Sequence, residues 1–213
     1  MLEWYRAGDD MHAGMELLSQ FAESLLEGGR PDRISYRDAF RQFAGVDPFT
    51  ATIDDLSAVC QTHRVTVPAA APTADRDNWL NLILSEVVEP RLGQTAPTIL
   101  YHYPASQAAL ARVIDGDPPL AERFELYFRG VELANGYHEL CDAAELASRN
   151  RHVNAQRIAD GAIELPADSH LLAAMTAGLP PCSGVAVGVD RLIMAMLGAE
   201  TIEQVIAFPI ERA

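Results

Sequence analysis

The sequence contains no lysine; all sixteen of its basic residues are Arg. Such a chain cannot form a lysine Schiff base, hold pyridoxal phosphate covalently or place the phosphate lysine of a Walker loop. Phosphate or carboxylate recognition therefore falls to Arg, backbone N–H groups, His or a metal. Arg in place of Lys beside abundant Ala is also what a GC-rich genome produces, and the chemical exclusion holds under either origin. Cysteine is sparse. Cys60, Cys141 and Cys182 are widely spaced, odd in number and form no C-x-x-C pair. That pattern suggests neither a zinc site nor a disulfide framework and suits a reducing, cytoplasmic compartment. The opening MLEWYRAGDD has no basic stretch followed by an apolar one, so no signal peptide is read there. It is also an unusual beginning, since it starts at once on an apolar and aromatic run. Uninterrupted apolar runs fall far short of the ~20 residues that a membrane span needs.

What is present fits one globular domain over residues 1–213, with 49% apolar and 22% charged residues. Thirty acidic residues against sixteen basic ones give a net charge of −14. That balance argues against a protein that grips nucleic acid mainly through backbone charge.

Apolar and polar periodicity divides the chain into irregularly interleaved strands and helices. Residues 2–6 read as a strand in which Glu3 and Tyr5 bracket a buried Trp4. Residues 9–27 read as a helix capped by Asp9 or Asp10 and stopped at Gly28-Gly29. Ser35, with Asp38 three residues on, caps a second helix. A short helix near 53–61 and a Pro- and Ala-rich loop over 68–75 follow. An amphipathic helix over 75–89 is stopped by Pro90. Thr98–Tyr103 reads as a strand, as do 123–128 and 131–135 around Arg129-Gly130. A polar helix over 142–160 with Asp142 as cap, a short helix over 168–177 and a strand over 183–189 complete the pattern. Asp190 is expected to cap a helix over 191–197, and a last short segment ends near 205–208. Several strand pairs look like hairpins. The fold expected is α+β: an antiparallel sheet with helices packed on one side.

The stretch RFELYFRGVELANGYHELCD, residues 123–142, carries the most chemistry. A two-residue loop at Arg129-Gly130 sets Phe128 against Val131 and Tyr127 against Glu132. Glu125 then lies diagonally from Glu132 on the same face, with Cβ atoms ~7–8 Å apart. Two such carboxylates are either solvated surface groups or the holders of a divalent cation that also meets phosphate oxygens. Glu139 has the opposite parity to Glu132. It joins that face only if Asn135-Gly136 forms a bulge; otherwise it is a surface Glu at a strand end. In CSGVAVGVDR, residues 182–191, Gly184 and Gly188 flank an apolar strand, as glycines do where a ligand or a second backbone comes close. Arg191 follows in the first turn of a helix, where a guanidinium can stack on a ring and bond a phosphate at once.

Together these stretches resemble the catalytic core of class II aminoacyl-tRNA synthetases, in the lysyl-tRNA synthetase branch. GVAVGVDRLIMAMLGAETIEQVIAFP is similar to motif 3 of that class, and MLEWY to the tail of motif 2. LEWYR, YHYPASQAAL, GVELANGYHEL and PCSGVAVGVDR are similar to the elongation factor P lysyltransferases, synthetase paralogues without an anticodon-binding domain. The resemblance runs from Met1 to Ala213. It implies a class II synthetase-like antiparallel sheet flanked by helices. It also implies ATP-dependent activation of (R)-β-lysine or lysine as an adenylate, and transfer to a lysine of elongation factor P. ATP and Mg²⁺ are the implied cofactors. Glu125 and Glu132 would hold the metal on the ATP phosphates, and Gly188 and Arg191 would meet the nucleotide, Arg191 by stacking on adenine. Glu3, Tyr5 and Glu139 would receive the substrate's side-chain ammonium. Asn135 and Gly136 would floor the site near the reacting carboxylate. Ala186 stands where lysyl-tRNA synthetases usually carry Gly, and its methyl would suit a substrate with a shifted amino group; an ordinary core Ala is the alternative. Ala186 and the acidic balance disfavour tRNA as acceptor. The family's motif 1, which builds its homodimer, and most of motif 2 precede LEWYR and are not among these residues. A late start or a broken gene is the expected reason. On that ground an inactive or nucleotide-binding-only fragment, or a lysyl-tRNA synthetase catalytic domain, stands as the alternative reading.

Overall fold

The computed structural model describes residues 1–68, 75–167 and 169–210. The loop expected over 68–75 falls almost wholly outside them. Fourteen strands and α-helices position the site. β1 spans Leu2–Ala7, α1 Met11–Leu25, β2 Asp32–Ser35, α2 Tyr36–Phe43, α3 Ile53–Thr62 and α4 Arg76–Ile83. β3 spans Thr98–Pro104, β4 Val113–Ile114, β5 Leu120–Phe128 and β6 Val131–His138. α5 spans Ala143–Ala159, α6 His170–Ala177, β7 Cys182–Val187 and α7 Val189–Leu197.

The strands form one seven-stranded sheet in the order β1-β7-β6-β5-β3-β2, with β4 beside β5. Every pairing is antiparallel except β2 with β3. The expected antiparallel sheet is therefore a mixed one. Four residues at β2 give too short a period to read, and they run directly into the Ser35 cap of α2. A parallel neighbour requires a crossover connection, and α2, α3 and α4 supply it between β2 and β3.

That crossover also corrects the expectation of helices on one side. Side chains alternate between the two faces along each strand. Tyr36, Phe40, Leu56 and Leu80 pack with Leu100, Tyr103 and Tyr127 on one face of the sheet. Met11, Met15 and Leu18 of α1 pack with Ile99, Phe124, Leu126 and Val185 on the other. A small cluster of Leu140, Leu146 and Met175 joins α5 to α6. The helices α2–α4 cover only the β3 end of their face. The rest, over β6, β7 and β1, is not covered by them.

Local signals explain most element ends. Asp10 accepts from the Ala13 amide at 2.9 Å and starts α1. Ser35 accepts from the Asp38 amide at 3.1 Å. Thr52 and Asp55 form a reciprocal capping box. Asp142 accepts from the Ala144 and Glu145 amides. Asp190 does not cap α7. Gly188 occupies that place without a side-chain bond, and the helix begins two residues earlier, at Val189. Trp4 is half-buried rather than buried, tilted against Phe21 with ring centroids 5.4 Å apart, because β1 is an edge strand.

Candidate active site

The β5–β6 hairpin closes as the sequence suggests. Arg129 and Gly130 both take positive φ, 51° and 77°, the requirement of a tight two-residue turn. Phe128 pairs with Val131 and Tyr127 with Glu132. The register then shifts, so that Leu126 pairs with Ala134 and Glu125 with Asn135. Leu133 is the extra residue, and both Leu133 and Ala134 are buried against α1. A bulge does bring Glu139 onto the face of Glu132. It lies at Leu133, however, and not at Asn135-Gly136.

Two cross-strand rows follow from this register. Glu3 pairs with Ala186, Ala186 with Asn135, and Asn135 with Glu125. Tyr5 pairs with Gly184, Gly184 with Tyr137, and Tyr137 with Arg123. Nine of the ten residues expected in the site thus reach one side of the sheet or the strand-to-helix turn beside it. Gly136 is the exception. A Cβ built there would sit 2.5 Å from the Phe124 ring, on the α1 side. It contributes backbone alone to the site face, since an even position on β6 beyond the bulge points to the core.

At one end, Arg191 reaches back from α7. Its Nη1 donates to the Glu132 carbonyl at 3.0 Å and lies 3.5 Å from Glu132 Oε2. A cleft of about 410 Å³ is lined there by Glu132, Asn135, Ala186, Gly188 and Arg191. Glu125 lies deeper and is 3% exposed. Its Oε1 accepts from Arg123, and its Oε2 accepts from Tyr103 and, at 2.6 Å, from Tyr127. Arg123 is held over the Tyr103 ring at 4.5 Å and donates to the Gln107 carbonyl at 3.0 Å. Hence the repulsion between Glu125 and Glu132 is already moderated by a guanidinium. A third carboxylate, Glu89, accepts from Tyr127 at 3.1 Å. Three carboxylates here meet two guanidinium groups. Burial, with Glu125 next, holds the Glu132 carboxyl above its ordinary range. Burial also raises Glu89, with the Tyr127 bond opposing and Glu125 adding.

The residues fit a hard divalent cation. Among the described residues, no three His, Cys, Asp or Glu side chains gather into a metal-holding group. Magnesium ordinarily takes one or two carboxylates and completes its shell with substrate oxygens and water. Glu132 faces the cleft, and partial burial, with Glu125 next, destabilises it as an anion. Those conditions favour a cation beside it. Asn135 Oδ1 is buried without a hydrogen-bond partner among the described residues, a further acceptor left for a ligand.

At the other end, Gly184 makes room. A Cβ there would stand 2.2 Å from Glu139 Oε1 and 2.6 Å from the Tyr5 ring. Burial pushes the Glu139 carboxyl up to about 7. Burial also raises the Tyr5 phenol, with Glu139 and Glu3 adding to it. A carboxylate starved of solvent beside the Tyr5 ring suits a cationic partner. This end of the face is exposed along β1, where Tyr5 is 64% exposed and Glu3 is exposed.

Residues 11–212 match the family described as tRNA synthetases class II (D, K and N). The chain belongs to that class II tRNA synthetase family. Three relatives show how close the likeness is. The chain is 46% identical over 213 residues to a Vibrio cholerae protein named "Elongation factor P--(R)-beta-lysine ligase", covering 100% of this chain and 65% of that one. Proteins of the same name from Proteus mirabilis and Klebsiella pneumoniae are 46% and 44% identical over 214 residues, again covering 100% of this chain and 65% of theirs. The chain thus spans about 65% of the length of the curated relatives it matches. No helix among the described residues is long and apolar enough to cross a membrane.

Sequence reasoning did not single out Arg123, Tyr103, Tyr127 or Glu89 for this site. Arg123 and Tyr127 share the alternation of Glu125 and were legible in principle. Tyr103 and Glu89 lie 22 and 36 positions before Glu125, and no local pattern links them to it.

Proposed function

We propose that this chain carries the site for ATP-dependent activation of (R)-β-lysine or lysine as an aminoacyl-adenylate, with transfer to a lysine of elongation factor P. One observation carries the reading. The charged end built from Glu125, Glu132 and Arg191 and the acidic and aromatic end, where Glu139 and Tyr5 meet over Gly184, lie on one sheet face, joined by Asn135 and Ala186. The names of the relatives supply the acceptor and the amino acid.

Activation needs no strong base, because the substrate carboxylate is already ionised. Glu125 and Glu132 would hold Mg²⁺, which when bound supplies charge neutralisation on the ATP phosphates. Arg191 adds positive charge from the helix turn, and its plane suits stacking on adenine. Gly188 leaves room for close approach at the start of α7. Glu139, Glu3 and Tyr5 receive the substrate's side-chain ammonium; burying that cation without such partners costs several kcal/mol. The Ala186 methyl, between Glu3 and Asn135, narrows the floor where a shifted amino group would lie. An acidic, cytoplasmic protein accepting a protein rather than a tRNA agrees with the net charge of −14.

Amino-acid-dependent exchange of pyrophosphate into ATP tests activation, with (R)-β-lysine and L-lysine as substrates. Transfer is then followed to elongation factor P and, separately, to tRNA. Exchange with either amino acid and transfer to the protein factor are expected. Charging of tRNA at a matching rate overturns the acceptor. The exposure of Glu3 and Tyr5 on β1 favours one second reading, nucleotide binding without turnover. ATP binding with no exchange would establish it.

A further inference from the structure

We propose that Glu89 is a positioning residue of the phosphate end, acting through the Tyr127 hydroxyl on Glu125. This rests on the reading of that end as the Mg–ATP site. Tyr127 has one proton and two carboxylate neighbours, Glu125 Oε2 at 2.6 Å and Glu89 Oε1 at 3.1 Å. Glu125 has no other freedom. Tyr103 shares its Oε2 and Arg123 holds its Oε1. The one adjustable bond in the set is the phenol's. An ionised Glu89 draws the Tyr127 proton toward itself and leaves more electron density on Glu125 for a cation. A neutral donor in its place would push that proton fully onto Glu125 and weaken it as a ligand. Outer groups that orient and polarise metal ligands commonly act in this way.

The backbone delivers Glu89 to this contact by an unusual path. α4 does not run on as a regular helix to Pro90. After Ile83 it widens into a five-residue π-turn over Leu84–Val88, then tightens into a 3₁₀ turn over Glu89–Arg91. Such widened turns recur at functional sites because they re-aim the residues that follow. The segment is then tied to the β5–β6 turn: the Arg129 amide donates to the Gly93 carbonyl at 2.8 Å, and the Gly130 amide to that of Leu92 at 2.9 Å. Packing does not call for a carboxylate here. Among the described residues Glu89 has no ion pair, and burial together with Glu125 makes its charge costly. A glutamine of the same shape would serve a purely structural role better.

Mg²⁺ titration of ATP binding to the whole chain, by calorimetry, tests the proposal on wild type, Glu89→Gln, Tyr127→Phe and the double variant, each with its thermal midpoint. Glu89→Gln is expected to raise the half-saturating Mg²⁺ concentration about tenfold or more, the scale of lost outer-group support. Tyr127→Phe, which takes a donor away from Glu125, is expected not to raise it, and the double is expected to match Tyr127→Phe, because Glu89 acts only through that hydroxyl. The thermal midpoint of Glu89→Gln is expected to hold or rise. A Glu89→Gln midpoint for Mg²⁺ within about twofold of wild type, or the same Glu89→Gln loss on the Tyr127→Phe background, overturns the proposal. So does a loss of Mg²⁺ affinity that only tracks a fall in thermal stability. If wild type shows no Mg²⁺-dependent ATP binding, the underlying reading fails and this proposal with it. Normal wild-type binding with an unaffected Glu89→Gln sinks this proposal alone.

Discussion

Glu132 and Asn135 stand on the same face of β6 although three residues separate them, because Leu133 is inserted between the pairs Tyr127–Glu132 and Leu126–Ala134. Without that insertion one of the two would point into the α1 core. The proposed phosphate end and the floor beneath the amino acid would then lie on opposite sides of the sheet.

Replacing Glu132 with Gln should cripple adenylate formation while leaving the fold intact. The carboxylate faces the cleft and is destabilised as an anion by burial and then by Glu125. A loss of about 100-fold in pyrophosphate exchange is expected, the order that one placed charge contact contributes in a transition state. Thermal unfolding should be unchanged or slightly later. Unaltered turnover at saturating Mg–ATP would rule out the carboxylate argument.

Two glycine substitutions should separate site from core. Gly184→Ala drives a methyl against Glu139 and Tyr5, both side-chain ends that can move outward, so the fold survives and the amino-acid KM rises. Gly136→Ala drives a methyl into the buried Phe124 ring and should cost about 1–3 kcal/mol of stability, as overpacking does. Denaturant titrations paired with amino-acid KM values measure both. Equal stability losses in the two variants would contradict the face assignment.

Arg123→Ala should be among the most damaging single changes. It leaves Glu125, 3% exposed, as a buried charge held only by two phenols. Breaking a buried pair in this way costs about 3–5 kcal/mol. Urea unfolding of the variant checks it, and a loss under about 1 kcal/mol would mean that Glu125 gives up its charge instead.

Amino-acid binding should strengthen as pH rises through 7. Burial raises the Glu139 carboxyl to about 7, so the unliganded protein holds it largely neutral on the acid side and ionised on the alkaline side. An ammonium ligand binds the ionised form. The sign for stability is opposite. With a folded value above the unfolded one, the contribution is complete below the unfolded value and is lost as pH rises through about 7. Amino-acid KM from pH 6 to 8 should fall in wild type and stay flat in Glu139→Gln. Parallel profiles in the two would show that another group titrates.

Much of the site was written in local pattern. The Arg129-Gly130 turn, the pairing of Tyr127 with Glu132 and the placing of Arg191 beside a strand end follow from nearest-neighbour geometry, and the structure shows each of them. The strands around Gly184 and Gly188 were equally legible. Local pattern failed where the decision was made at long range. Asp190 has capping chemistry, yet α7 starts at Val189: the Gly188 carbonyl takes the first helical bond, from the Leu192 amide at 2.9 Å, while the Gly188 amide ties that turn to the Leu133 carbonyl of β6 at 2.9 Å.

The sequence by itself determined which charges this protein can use on phosphate: Arg, never Lys, with acidic residues in excess. It also set the hairpin turn, the helix caps at Ser35, Asp142 and one of Asp9 and Asp10, and the alternation that aligns Arg123, Glu125 and Tyr127. Only the tertiary structure decided which face each carboxylate occupies, because a single unpaired residue at Leu133 inverts every position beyond it. It alone decided that Tyr103 joins Arg123 and Tyr127 in burying Glu125, since Tyr103 comes from β3, whose pairing with β5 no local spacing encodes. It decided, too, that Glu89 joins them, because a widened turn after α4 turns the last residue of an amphipathic pattern toward the sheet.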